Sequence, residues 1–191
     1  MTDTHDLETM IFSSEALDTL LKEFGESSVI KKLSLPVRSL LITAALPIGY
    51  LRWLSSPSQR NIGLTFKGIS FAKFINRRNL DTDIYDLIME TKKISRTAIH
   101  PGVLKKEIQR LCCSGAHDPW QLCSGHDMVE ILSIGLASIF GNCRTKGITK
   151  DSLDAILRLV YDYNNFCKTK LCNSMLTWEK ANPVFKVLRS T

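Results

Sequence analysis

Hydrophobic residues recur at helical spacing along most of the chain. The first such segment runs from Asp6 to Phe24, and it is interrupted at Ser14, whose side chain can cap a second helix that Gly25 ends. The pattern therefore predicts two short helices joined at Ser14. Their apolar positions are Leu7, Met10, Ile11, Leu17, Leu20, Leu21 and Phe24.

Further segments of helical spacing follow. Pro36 suits the first turn of one of them, and Pro47 predicts a kink in the same helix. Thr149 is a candidate cap for another. The predicted helices are Leu35–Leu54, Ile84–Ile94, Val103–Cys113, Ser124–Gly141, Asp151–Tyr163 and Asn164–Lys180.

One segment has a different pattern. Between Ile62 and Phe74, Leu64 and Phe66 alternate with Thr65 and Lys67, which is typical of a strand. We find no internal repeat or linker, so residues 1–191 are expected to form a single mostly α (α+β) domain with a short β element.

The composition is that of an ordinary globular chain: 191 residues, 44% hydrophobic and 23% charged, which excludes collagen, disorder and a coiled-coil fibre. In Leu35–Leu54, Arg38 and Arg52 bracket a run shorter than the roughly 20 residues of a membrane span. The acidic start MTDTHDLETM is unlike a secretory signal. We therefore expect a cytoplasmic protein that does not bind membranes and whose six cysteines are reduced thiols.

Charge is unevenly distributed. Residues 1–30 contain seven acidic side chains and a single lysine, a net charge of −6, whereas residues 31–191 have a net charge of +12. A metal-dependent enzyme acting on nucleic acid would show this distribution. Acidic residues at helix N-termini and ordinary surface lysines would show it as well.

The N-terminal motif TDTHDLE is the first candidate site. Asp3, His5, Asp6 and Glu8 offer oxygen and imidazole ligands that could bind Mg²⁺ or Mn²⁺ beside a phosphate. The alternative is an aspartate cap with acidic residues complementing the helix dipole.

The second candidate is CSGHDMVE, residues 123–130. Ser124 can cap a helix with Asp127 reaching back to its amide, while Gly125 permits close approach of another backbone. His126 and Asp127 are candidate catalytic residues, His126 acting as a general acid or base. The alternative for His126 is a capping role.

Cysteines and histidines also cluster between residues 112 and 126, but without the paired spacing of a zinc site. No zinc is therefore expected. P-loop, nucleophile-elbow and HExxH motifs are absent from the sequence, which argues against the corresponding NTPases, hydrolases and proteases.

A basic stretch in the middle of the chain is a candidate for nucleic-acid binding, since surface Lys and Arg can neutralise phosphates. Its residues are Arg77, Arg78, Lys92, Lys93, Arg96, Lys105, Lys106 and Arg110.

TDTHDLE together with WQLCSGHDMVEILSIGL resembles the C-terminal part of a bacterial domain of unknown function, numbered forty-four thirty-five among such families. The resemblance covers residues 1–24 and 118–188. The resemblance implies that the chain is related to Toprim nucleases. It also implies an association with OLD-like or ABC-type ATPases in anti-phage systems.

The Toprim-like site implied by the resemblance uses an early Glu, then an Asp-x-Asp, then the TDxHDLE element. This sequence has counterparts of the last element, in Asp3, His5, Asp6 and Glu8, and of the family's GHD element, in His126 and Asp127. We therefore expect an incomplete, truncated fragment of a Mg²⁺- or Mn²⁺-dependent nuclease. The alternative is a non-catalytic module that docks a partner ATPase or forms an oligomer with itself.

Overall fold

A computed structural model describes residues 3–95, 97, 100–145 and 148–188. Within these residues the chain is mostly helical and has no sheet, which confirms the helical part of the predicted fold class. The helices are α1 (Leu7–Ser13), α2 (Glu15–Phe24), α3 (Ser27–Ile30), α4 (Val37–Ser55), α5 (Ile84–Ser95), α6 (Pro101–Ser114), α7 (Pro119–Leu122), α8 (Gly125–Ser138), α9 (Lys150–Val160), α10 (Tyr163–Cys167) and α11 (Lys170–Ala181).

The break between α1 and α2 lies at the predicted serine. The Ser14 hydroxyl accepts a hydrogen bond from the Ala16 amide at 3.1 Å, which caps α2. Arg38 then satisfies carbonyls at this break, donating from Nε to the oxygen of Phe12 and from Nη2 to that of Ser14, both at 2.8 Å. A distant arginine therefore holds α1 and α2 at a fixed angle.

Helices α4 and α8 form the centre of the hydrophobic core. Helix α4 packs against α6, α7 and α8. It approaches α7 closely at Gly49, where an added Cβ atom would lie 2.9 Å from the carbonyl oxygen of Leu122. Helix α9 packs across α1, α2 and α8. This packing brings the N-terminal motif beside the start of α8. None of the described helices is long and apolar enough to cross a membrane.

The strand predicted within Ile62–Phe74 is wrong. Gly63 and Gly68 adopt left-handed backbone conformations, with φ of +66° and +80°, and the amides of Leu64 and Thr65 donate to the hydroxyls of Ser55 and Ser95. These side chains take the place of a partner strand. The alternation does indicate which side of this segment is buried, because Ile62, Leu64 and Phe66 pack against the core.

The long helix predicted over Asn164–Lys180 is also wrong in one respect, since it is divided into α10 and α11. The Thr169 hydroxyl caps α11 by accepting from the amide of Cys172 at 3.1 Å. Of the twelve residues of α11, Cys172 is the one that is buried. Helix α11 therefore buries little of its surface against the core.

Candidate functional site

The two sequence motifs meet at the carboxylate of Asp6. Its Oδ1 accepts from the Thr9 amide at 2.8 Å and caps α1, while Thr9 Oγ1 accepts from the Asp6 amide at 3.0 Å. Its Oδ2 accepts from the amide of Gly125, the first residue of α8, at 2.9 Å. One carboxylate therefore binds free amides at the N-termini of two helices.

Gly125 allows this contact because it has no side chain. A Cβ atom there would lie 2.6 Å from Asp6 Oδ1 and 2.8 Å from the backbone nitrogen of Thr9, and it would also overlap the side chain of Glu8. The predicted close approach of another backbone at Gly125 is confirmed. We call this junction of Asp6, Thr9 and Gly125 the clasp.

Asp3 and His5 extend the clasp to other helices. The two carboxylate oxygens of Asp3 accept from the amides of Lys170 and Leu171, at 2.7 and 2.8 Å, at the N-terminus of α11. The Nδ1 atom of His5 lies 3.0 Å from the carbonyl oxygen of Gln121 in α7. The N-terminal segment thus holds two later helices against the body of the protein.

Glu8 is buried and forms an ion pair with Arg158 of α9. Arg158 also donates from Nε to Asp154 at 3.0 Å. The hydrogen bond and charge of Asp154, followed by the charge of Glu8, raise the pKa of Arg158. The ion pair between Glu8 and Arg158 links α1 to α9.

Asp127 forms a bidentate pair with Arg52 of α4. Nε and Nη2 of Arg52 each donate to one carboxylate oxygen at 2.8 Å, and the Asp127 side chain is 5% exposed. The prediction that Asp127 reaches back to cap its own helix at Ser124 is therefore wrong, because Arg52 takes both of its oxygens. The guanidinium carbon Cζ of Arg52 also lies 4.3 Å from the centre of the Phe66 ring.

A cleft of about 490 Å³ lies beside this pair. His126 and Glu130 both face it, as their spacing predicts. Glu130 is paired with Lys150 at 2.9 Å. The lining residues are Arg52, Phe66, Gly68, Ile69, Phe71, His126, Asp127, Val129, Glu130, Lys150, Asp151 and Asp154.

The candidate catalytic and metal residues do not share this cleft. His126 and Asp127 line it, but Asp3, Asp6 and Glu8 do not. The two motifs are in contact through Asp6 and Gly125, but their charged side chains do not line a common pocket. The acidic side chains diverge because each has a helix terminus or an arginine as its partner.

The arrangement does not fit the Mg²⁺ or Mn²⁺ ion that the sequence implies. Both oxygens of Asp3 and of Asp6 accept from backbone amides, and Glu8 faces Arg158. Within the described part of the chain, no group of three or more acidic, histidine or cysteine side chains is placed to hold a metal ion. A hard cation requires several converging oxygen ligands.

The cysteine and histidine cluster lies in an aromatic environment. The ring of His117 is 5.7 Å from that of Tyr50 and 5.0 Å from that of Trp53. Burial, followed by the nearby charge of Asp127, raises the pKa of Cys123 to about 12, and burial raises that of Cys112 to about 11. Both thiols are therefore protonated at neutral pH, and all six cysteines are free.

The predicted basic residues lie on α5, on α6 and in the turn before α5, while Arg96 lies outside the described residues. Eight arginines are described, and five of them pair with carboxylates. Within the described residues, the three arginines without such a partner are Arg77, Arg78 and Arg110. All three belong to the predicted set.

Sequence reasoning missed the cationic partners of the motifs. Arg52, Lys150 and Arg158 were not among the predicted site residues, although each pairs with a motif carboxylate. Arg52 had one detectable signal, because Arg38 and Arg52 are the two charged residues of the predicted helix Leu35–Leu54 and lie near its two ends. The spacing of these residues from the motifs gave no signal for the pairing.

Comparison with protein families, with curated proteins and with solved structures finds no match to this chain.

Proposed function

We propose that this chain is a helical module that binds nucleic acid through its phosphates and does not cut it. The observation that carries the proposal is the distribution of arginines without carboxylate partners. Among the described arginines these are Arg77, Arg78 and Arg110, around α5 and α6, whereas the others are neutralised. A guanidinium without a carboxylate is available to a phosphate.

Helices α5 and α6 also carry lysines and an exposed aromatic ring. The Nζ atom of Lys105 on α6 lies 5.7 Å from the centre of the Tyr85 ring on α5, and Tyr85 is 45% exposed. Lys93 and Lys106 are exposed on the same two helices. Cations beside an exposed ring are typical of surfaces that bind single strands, because bases stack on the ring while phosphates meet the cations.

Binding without cleavage is proposed because the motif carboxylates have other partners. Asp3 and Asp6 satisfy backbone amides at helix N-termini, and Glu8 neutralises Arg158. Within the cleft, the described lining residues include no serine, threonine or cysteine nucleophile. Phosphate neutralisation requires neither a metal nor a nucleophile.

Fluorescence anisotropy with a labelled DNA duplex and a labelled RNA strand tests this proposal. The variant combines Arg77→Gln, Arg78→Gln and Arg110→Gln. Each lost phosphate contact lowers the dependence of log Kd on log salt by about 0.9 on duplex DNA, so the slope should fall by roughly two to three.

A matched control loses the same charge elsewhere. Lys22→Gln, Lys31→Gln and Lys32→Gln remove three exposed lysines far from α5 and α6 in sequence. This control should keep most of the salt dependence. Equal losses in both triple variants would show that binding follows net charge alone and would refute the assigned surface.

A second function, the docking of a partner protein, is favoured by a separate observation. Several large apolar side chains near the C-terminus are exposed, including Trp178 and Phe185. Exposed apolar patches of this kind mark interaction surfaces.

A further inference from the structure

Apolar side chains are concentrated on α11 and on the segment that follows it. Trp178 is 48% exposed, Phe185 61% and Val187 57%. We call the surface formed by Trp178, Phe185 and Val187 the C-terminal surface. Tryptophan and phenylalanine at this exposure are common in interface centres and uncommon elsewhere on soluble surfaces.

This surface is held in a defined shape. The side chain of Glu179 accepts hydrogen bonds from the backbone amides of Val187 and Leu188, so the segment after Asn182 folds back on α11. The rings of Trp178 and Phe185 lie 6.1 Å apart. A binding surface that is already ordered loses less conformational entropy when a partner docks.

The surface contains a shallow groove. A groove of about 430 Å³ is lined by Ser174, Met175, Trp178 and Val187, and nearly all of its lining is apolar. Such a groove accommodates inserted side chains, as in the binding of an amphipathic helix. A lipid surface requires no groove, so the concavity favours a protein partner over a membrane.

Two lysines lie near this surface. Lys170 lines a second depression together with Trp178, and Lys186 lies between Phe185 and Val187 in the sequence. Both lysines are exposed, and neither pairs with a carboxylate in the described part of the chain. Glu179, the acidic residue of this region, has its oxygen engaged with backbone amides. Two copies docked through this same surface would bring like charges together, which disfavours self-association.

Helix α11 also buries little apolar surface against the rest of the chain. Cys172 is its one buried residue, and a twelve-residue helix is marginal without tertiary packing. A partner covering Trp178 would supply the missing contacts.

We propose that the C-terminal surface binds an acidic amphipathic helix of a partner protein. Apolar side chains of that helix enter the groove beside Trp178, and its carboxylates face Lys170 and Lys186. The proposal specifies the partner for the docking function above and is independent of nucleic-acid binding through α5 and α6.

The test uses the full chain and two synthetic labelled peptides of about 18 residues, long enough for the helix to form on the surface. Both carry leucines at helical spacing, one with flanking glutamates and the other with lysines in their place. We expect the acidic peptide to bind at least tenfold more tightly. Trp178→Ala and the double variant Lys170→Glu/Lys186→Glu should each weaken it at least fivefold.

Matched controls change equivalent residues elsewhere. Leu159→Ala removes an apolar side chain that is 82% exposed on α9, and Lys31→Glu/Lys32→Glu reverses two exposed charges. Both should bind the acidic peptide as the wild type does. Far-UV circular dichroism confirms that each variant is folded, and the DNA anisotropy assay on the same variants reports separately on nucleic-acid binding.

Several outcomes overturn the proposal. Equal affinity for both peptides, or no binding of either, would show that the C-terminal surface does not bind an acidic helix. Binding to vesicles of phosphatidylserine and phosphatidylcholine without binding to the peptide assigns the surface to lipid. A dimer in sedimentation that Trp178→Ala abolishes assigns it to a second copy of the chain.

Discussion

Replacement of Asp6 by alanine tests the clasp directly. The substitution removes the cap of α1, which costs about 1 kcal/mol, and leaves the buried Gly125 amide without a partner, which costs about 1–3 kcal/mol. We therefore expect the free energy of unfolding to fall by about 2–4 kcal/mol. Glu8 and Arg158 stay paired, so the loss reports on the hydrogen bonds of the Asp6 carboxylate.

Urea unfolding followed by far-UV circular dichroism measures this loss. For a typical dependence on urea of about 2 kcal/mol per molar, a loss of 3 kcal/mol lowers the midpoint by about 1.5 M. Asp6→Asn is the control, because it keeps one acceptor oxygen. It should lose about half as much stability as Asp6→Ala.

A metal site at the same position predicts the opposite behaviour. Removing a carboxylate from a cluster of like charges would leave the metal-free protein unchanged or make it more stable. Added Mg²⁺ would then stabilise the wild type and not the variant, because a ligand that binds the folded state raises its stability. An unchanged midpoint for Asp6→Ala together with this Mg²⁺ effect would refute the clasp.

Three further predictions follow from the same region. Gly125→Ala should destabilise the protein by about 1–3 kcal/mol in the same urea assay, because the added methyl group overlaps Asp6 and Glu8. Arg52→Ala should cost about 2–3 kcal/mol of unfolding free energy, less than in a fully buried pair because Arg52 is partly exposed, and an unchanged midpoint would contradict the pairing. Burial raises the pKa of Cys112 and Cys123 to about 11 and 12, so their contribution to stability is present below about pH 9 and is lost as pH rises toward those values. Mass spectrometry after iodoacetamide treatment at pH 8 should find both unmodified, and rapid labelling of either would contradict this.

The sequence predicts best those features that depend on neighbouring residues. Ser14 and Thr149 cap helices as predicted, and Gly25 ends α2, because each of these contacts is made within a few residues. The buried face of α8 follows from spacing in the same way. Local propensity and periodicity suffice for these elements.

Features that depend on distant residues were predicted less well. The alternation at Leu64 and Phe66 shows which side faces the core, but it cannot reveal that no partner strand lies beside it in the described part of the chain. Similarly, the motif CSGHDMVE shows which residues carry charge, but not that its Asp127 pairs with Arg52, which lies 75 positions earlier in the chain. Metal ligands and helix caps use the same carboxylates, so only the tertiary contacts distinguish them.

The most direct test of the central claim combines binding and cleavage in one sample. Purified protein is incubated with supercoiled plasmid in Mg²⁺ or Mn²⁺, with Asp6→Asn in parallel, and the DNA is examined for retardation and nicking. We predict retardation that weakens between about 50 and 200 mM salt, with the plasmid remaining supercoiled in every lane. Nicking by the wild type that Asp6→Asn abolishes would contradict the account and would make the motif carboxylates catalytic.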